Sequence, residues 1–202
     1  MTNGTADAIP TRQRILHASA RLFRRQGYAA TGLKQIAAES EATLGSVYHF
    51  FPGGKQQLAD EVLRAGGQLF LARHESIAAS APGLVTAVRD LFSGAGQTLL
   101  ATSFAEASPI ATVAGEIAST NEVLRAAVAD VFESWLIALA EDAIEAGIEP
   151  GRARSLALSV LGLLEGGFLL SRSLRSLEPM RSCADAAVAL VSAALRESST
   201  AR

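Results

Sequence analysis

Apolar residues recur along this chain at intervals of three and four residues, and almost nowhere do apolar and polar positions alternate. An interval near 3.6 residues is typical of amphipathic helices, whereas strands need alternating runs rich in β-branched residues. Glycine and proline separate the periodic stretches from one another. The pattern therefore predicts an all-α fold.

The separators divide the chain into short helices followed by long ones. Thr11, Thr31 and Thr43 are predicted N-caps of three helices, the first over about residues 12–26 and stopped by Gly27. Beyond Pro52, helices are predicted over about 55–79, 84–102, 109–117, 122–146, 150–177 and 179–197, each bounded by a proline, a glycine or a capping residue such as Ser119, Thr120 or Asn121.

The first three helices have the order of a helix-turn-helix unit. The second and third are short, and a tight turn of three residues, 40–42, joins them. We therefore expect two domains. Residues 1–54 are expected to form a helix-turn-helix DNA-binding domain with a disordered tail at 1–10, and residues 55–202 a second, helical domain.

Composition and charge support this division. The chain has 202 residues, of which 49% are hydrophobic, enough for a substantial core. Residues 1–58 carry seven basic and three acidic side chains, while the remainder carries a net charge of −6. A basic first part indicates a polyanionic partner, although a chance fluctuation of surface charge would look the same.

Several other function classes find little support. Cys183 is the lone cysteine, which excludes an internal disulfide, and the polar N-terminus does not resemble a secretory signal. The most apolar run, from Leu156 to Leu170, is shorter than a membrane span and contains Glu165. We expect a cytoplasmic protein that has no membrane association, bound metal or cofactor.

Residues 31–55 carry the predicted nucleic-acid chemistry. Gly45 lets a helix approach a DNA groove closely, Tyr48 and His49 project from the same helix, and Lys55 can pair with a phosphate. Val47 and Phe51 are predicted to face inward. The predicted DNA-contacting residues are Thr31, Lys34, Thr43, Leu44, Gly45, Ser46, Tyr48, His49 and Lys55. A helical bundle whose polar residues are merely solvated is the alternative.

This segment also resembles a known family. Residues 12–55 are similar to the DNA-binding domain of the tetracycline-repressor family of bacterial regulators. The matching residues are Gly27, Thr31, Ile36, Ala37, Gly45, Val47, Tyr48, Phe51 and Lys55. The FFPGGK and SPIATVAGE segments resemble the subgroup of lincomycin-resistance regulators. The resemblance implies a homodimeric all-α repressor that leaves its double-stranded operator when a small molecule binds the C-terminal domain.

Two positions depart from the family pattern. Glu41 stands where the family usually has glycine in the turn, and a left-handed conformation there costs about 1 kcal/mol. Leu44 stands where the family often has lysine or arginine, so that contact with a thymine methyl replaces one basic contact.

The C-terminal domain supplies the expected dimer seam and effector pocket. The last two helices are apolar nearly all round, which indicates burial against a second copy, with a thick monomeric core as the alternative. Aromatic residues and two glutamates on the other helices suggest an apolar pocket with polar anchors, although ordinary core packing would explain each one singly. The candidate pocket residues are Phe70, Phe92, Phe104, Glu116, Trp135, Glu165 and Phe168.

An enzyme is the least supported alternative. His17, His49 and His74 are the only histidines, and the sequence contains neither a metal-binding spacing nor a nucleophile motif, so we predict no catalytic residues. A DNA-binding protein that acts constitutively or through a protein partner, without a small effector, remains open.

Overall fold

A computed structural model describes residues 9–105, 109–117 and 120–200 of the chain. Over these ranges the chain forms nine helices and no strand, which confirms the predicted all-α fold. The helices are α1 (Thr11–Gln26), α2 (Leu33–Glu39), α3 (Leu44–Phe50), α4 (Gly54–Ser80), α5 (Leu84–Ala101), α6 (Pro109–Ile117), α7 (Glu122–Glu145), α8 (Pro150–Leu174) and α9 (Glu178–Thr200). The predicted tail at residues 1–8, Ser108 of the SPIATVAGE segment and the capping candidate Ser119 lie outside the described residues.

Helices α1 to α3 form a small head whose core continues into α4. Phe23 of α1, Ile36 of α2 and Val47 of α3 are fully buried together with Phe51, so the inward orientation predicted for Val47 and Phe51 is confirmed. A helix of seven residues is unstable alone, and packing must hold it. Burying one side chain of this size stabilises the folded protein by about 1.5–3 kcal/mol.

The turn between α2 and α3 has the predicted left-handed residue. Glu41 has φ 52°, and the Ala42 N–H donates to the Ala37 carbonyl at 2.9 Å. Arg14 of α1 donates from Nε to the Ser40 carbonyl at 3.0 Å. These hydrogen bonds offset the conformational cost at Glu41.

Only the third of the predicted N-caps in the head is correct. Thr43 caps α3 through its side chain, whereas α1 begins at Thr11 after Pro10, and Gly32 occupies the N-cap of α2. The Thr31 hydroxyl donates to the Gly27 carbonyl at 2.7 Å, which satisfies an acceptor beyond the end of α1 instead of starting α2.

The remaining helices form the body. α7 packs against α4 and α8, while α9 packs against α5 and α8. Asn121, from the predicted capping cluster, accepts a hydrogen bond from the Leu124 N–H and caps α7. The body is joined to the head by α4 and by α6, which packs against α1.

α8 ends earlier than predicted. It stops at Leu174 because Arg175 adopts a left-handed conformation, with φ 48°. The Met180 N–H donates to the buried Ser171 hydroxyl at 3.0 Å, which ties the start of α9 to the last turn of α8. Residues 175–177 contain no glycine or proline, so Pro179 indicates the start of α9 but not the earlier end of α8.

α8 extends beyond both ends of the apolar run from Leu156 to Leu170. It has 25 residues and, by length and composition alone, is the one helix in the described ranges that could cross a bilayer. Here it packs between α7 and α9, but several of its leucines remain exposed, among them Leu158 and Leu169.

Candidate nucleic-acid interface

The N-terminus of α3 is organised by two hydroxyl side chains. Thr43 Oγ1 accepts a hydrogen bond from the Ser46 N–H at 3.0 Å, and the two hydroxyl oxygens lie 2.9 Å apart. An N-cap of this kind typically stabilises a helix by about 1 kcal/mol. The predicted residues Thr43 and Ser46 therefore define where α3 begins and in which direction it points.

One side of α3 is turned to solvent. Gly45, Tyr48 and His49 are exposed, and Tyr48 retains 51% of its accessible surface, while Leu44 and Ser46 are half-buried beside them. Buried Val47 lies on the opposite side of the same helix. The exposed face therefore combines Gly45, which has no side chain, with the aromatic and polar side chains of Tyr48 and His49.

α2 contributes a cation to the same part of the head. Lys34 is exposed on α2. Thr31, by contrast, is 1% exposed and its hydroxyl is bonded within the head, so this predicted contact residue does not offer its side chain to a ligand. Its hydrogen bond fixes the approach to α2 instead.

Lys55 is partly engaged within the protein. Its Nζ donates to the Ala29 carbonyl at 3.2 Å and lies 4.3 Å from the centre of the Tyr28 ring. Burial lowers the pKa of Lys55 below its ordinary value, and the nearby Glu116 carboxylate partly opposes this shift. The predicted phosphate ligand therefore also holds the loop between α1 and α2.

Glu116, predicted as an effector anchor, is placed instead between α6 and the head. Its Oε2 accepts a hydrogen bond from the Ala29 N–H at 2.6 Å, and its carboxylate covers Gly27. A residue 87 positions further along the chain makes this contact. No local pattern in the sequence could have indicated it.

The other predicted pocket residues are distributed over separate parts of the body. Phe70 and Trp135 stack with ring centres 4.1 Å apart between α4 and α7, and Trp135 Nε1 donates to the Gly67 carbonyl at 3.1 Å. Phe104 is half-buried just after α5, while Glu165 and Phe168 are half-buried on α8. Core packing accounts for the Phe70–Trp135 pair.

Phe92 lies at a cleft between α5 and α9. This cleft has a volume of about 300 Å³, and apolar residues make up most of its lining, including Gly96, Leu100 and Met180. Arg89, Arg181 and the acidic Asp185 also line it, and neither arginine has an ion-pair partner in the described part of the chain. No sequence pattern places these charged residues at a cleft, because they look like ordinary surface charges.

Over residues 9–105, 109–117 and 120–200, no group of three or more histidine, cysteine, aspartate or glutamate side chains is placed to hold an ion. His74 instead lies buried with its Nε2 2.9 Å from an Asp142 carboxylate oxygen.

The buried scaffold and exposed face of α3 define a helix-turn-helix DNA-binding regulator, and comparison with known proteins narrows this class. Residues 15–62 match the profile of bacterial regulatory proteins of the tetR family, and residues 85–186 match the C-terminal domain of LmrA/YxaF-like transcriptional regulators. The chain therefore belongs to the tetR family and carries an LmrA/YxaF-like C-terminal domain.

Individual relatives agree with this assignment. The chain is 34% identical to the HTH-type transcriptional regulator YxaF of Bacillus subtilis over 90% of this chain and 95% of that one. It is 32% identical to the HTH-type transcriptional regulator LmrA of the same organism over 84% and 90% of the two chains. A TetR transcriptional regulator from Legionella pneumophila shares the fold, with a TM-score of 0.81 and 21% identity over 90% of this chain and 97% of that chain.

Proposed function

We propose that this tetR-family regulator represses transcription by binding an operator as a homodimer and leaves the operator when a small apolar molecule binds its body. The exposed face of α3, with Gly45 between the N-cap residue Thr43 and the exposed Tyr48, carries the proposal. A helix without a side chain at that point fits closely into a major groove. The proposal places the protein in the cytoplasm, where its DNA lies, and assigns it no catalytic step.

DNA binding is tested by selecting duplexes from a random-sequence library with the wild-type chain. Tyr48→Ala removes an exposed side chain from α3 and should raise the Kd for the selected duplex about tenfold or more, as loss of one good base contact does. Exposed Gln68→Ala on α4 is the matched control and should bind as the wild type does. Equal affinity of all three proteins would contradict the docking of α3.

The cleft between α5 and α9 suggests the chemistry of the effector. Its volume is at the low end of small-molecule sites, and its apolar lining beside Arg89, Arg181 and Asp185 carries an excess of one positive charge, which favours a compact apolar molecule with one anionic group. Guanidinium groups recognise carboxylates through paired N–H donors. An apolar carboxylate is therefore the class of effector we propose.

A thermal-shift screen separates this effector from close alternatives. Aromatic carboxylates should raise the melting temperature, the corresponding amides should do so less, and Arg181→Ala should remove the difference between the two. Arg196→Ala, an exposed arginine on α9 that does not line the cleft, is the control. If no apolar compound stabilises the protein or weakens its duplex binding, a regulator that acts constitutively or through a protein partner replaces the inducible repressor.

The homodimer is proposed to form through α8 and α9. Exposed Leu158 and Leu190 line an apolar trough with small residues such as Gly162 and Ala186. Small residues let helices approach one another closely, and a second copy related by a two-fold axis covers the same trough on both subunits.

A further inference from the structure

The backbone of Ala29, in the loop between α1 and α2, is held from both sides by the rest of the molecule. Its N–H donates to Glu116 Oε2 of α6 at 2.6 Å, while its carbonyl accepts from Lys55 Nζ of α4 at 3.2 Å. A hydrogen bond to a carboxylate is about twice as strong as one between neutral groups. Because α1 ends at Gln26 and α2 begins at Leu33, this loop sets the direction in which α2 and α3 leave α1.

Gly27 makes room for the Glu116 carboxylate. A Cβ atom built on Gly27 would lie 1.7 Å from Glu116 Oε1, so only glycine admits the carboxylate in this position. Gly27 has φ 84° and ψ 175°, a combination that is essentially restricted to glycine. The missing Cβ of Gly27 therefore leaves a space in the head that the Glu116 carboxylate fills.

α6 is anchored firmly in the body. Ile110, Val113 and Ile117 are at most 1% exposed and belong to the core that includes α4 and α7. Glu116 lies on the same helix, which packs against α7 and α4 and also against α1 of the head. The hydrogen bond from the Ala29 N–H to Glu116 therefore connects this core to the loop between α1 and α2.

We propose that Glu116 is a positioning residue that fixes the orientation of the DNA-binding head on the body by holding the Ala29 amide. The inference rests on the proposed function, because orientation matters only if the head binds DNA. With the bond in place, the two heads of a dimer keep the separation that successive major grooves require. Without it, the head rotates more freely, and DNA binding must restrict that motion.

Two measurements on the intact chain test the inference. In Glu116→Ala, the Ala29 amide should exchange its hydrogen with solvent at least tenfold faster, as observed by NMR, while buried amides of α1 keep their rates. The same variant should bind the duplex selected by the wild-type protein with a Kd about tenfold higher, which corresponds to about 1.4 kcal/mol.

Conservative variants separate positioning from general stability. Glu116→Gln keeps an acceptor oxygen at the same reach without the charge and should restore amide protection and affinity in part, whereas Glu116→Asp is one methylene too short and should behave like Glu116→Ala. Glu141→Ala removes an exposed glutamate of α7 that has no partner in the described ranges, and it should change neither measurement.

Two results would overturn the inference: unchanged exchange of the Ala29 amide in Glu116→Ala, or faster exchange with duplex affinity equal to or above that of the wild type. A wild-type protein that selects no duplex at all would instead refute the proposed function. The exchange measurement would then still decide whether Glu116 holds Ala29.

Discussion

Gly27 shows how a single residue joins the two parts of this protein. Its backbone conformation allows the chain to turn after α1, and its missing side chain leaves room for the Glu116 carboxylate of α6. A Cβ atom at this residue would disfavour the backbone conformation and would also overlap the Glu116 carboxylate. The residue is therefore constrained by the head and by the body at once.

Gly27→Ala should lower the free energy of unfolding by about 1–3 kcal/mol, because alanine strongly disfavours this backbone conformation. Displacement of Glu116 adds to that loss, so the substitution should cost less in a Glu116→Ala background, where the overlap is gone. Urea denaturation of the four proteins in this cycle measures both effects. A Cβ on Gly115 of α6 meets no atom within 4 Å, so Gly115→Ala, the control, should be neutral or stabilising. If Gly27→Ala lowers the free energy of unfolding equally in the two backgrounds, the Glu116 carboxylate does not occupy the space beside Gly27.

Among the helices, α3 is the element that the sequence predicted best. Thr43 as its cap and Val47 on its buried side follow from local rules of capping and periodicity, while left-handed Glu41 before it was expected from the family resemblance. The end of α8 at Arg175 could not be predicted in this way, since an arginine carries no local signal for a left-handed conformation.

Contacts between elements were the least predictable part of the candidate site. Thr31 looked like an N-cap by residue type, but tertiary packing turned its hydroxyl towards Gly27. Glu116 looked like a polar group in an apolar helix, and only the fold shows that its partner lies in the head. Propensity and spacing describe a helix, whereas they say nothing about which loop will pass beside it.

Gly45 on α3 allows a test in which DNA binding and stability change separately. A Cβ there meets only Thr43 Oγ1, at 3.6 Å, so Gly45→Leu should keep or raise the melting temperature, because leucine favours helix more than glycine does. The same leucine should raise the Kd for the selected duplex more than tenfold, because it occupies the space that a groove wall would fill. Ala129→Leu, at an exposed position of α7, serves as the control and should leave DNA affinity unchanged. Wild-type affinity in Gly45→Leu would mean that α3 does not enter a groove at this point.

The molecule as a whole leaves an apolar surface that a monomer does not explain. Leu158 is 52% exposed, and Leu169 and Leu174 on the same helix are more exposed still. Leu190 extends this surface onto α9. The apolar trough lined by Leu158 and Leu190 is where we propose that two copies of α8 and α9 pack together, because exposed apolar patches favour association.

Leu158→Glu should convert the protein to a monomer, because the two-fold axis brings the added charge close to its own copy in a seam without compensating cations. Sedimentation at micromolar concentration should give a mass near twice 21.0 kDa for the wild type and near 21.0 kDa for the variant. Leu100→Glu places the same charge at a leucine of similar exposure, 55%, on α5, and it should remain a dimer. The monomer should also bind the selected duplex more weakly, since one head engages one half-site and the second no longer adds its contacts. If Leu158→Glu is still a dimer, the dimer interface lies elsewhere on the molecule. If it is a monomer that binds the selected duplex as tightly as the wild type, a single head suffices for operator binding.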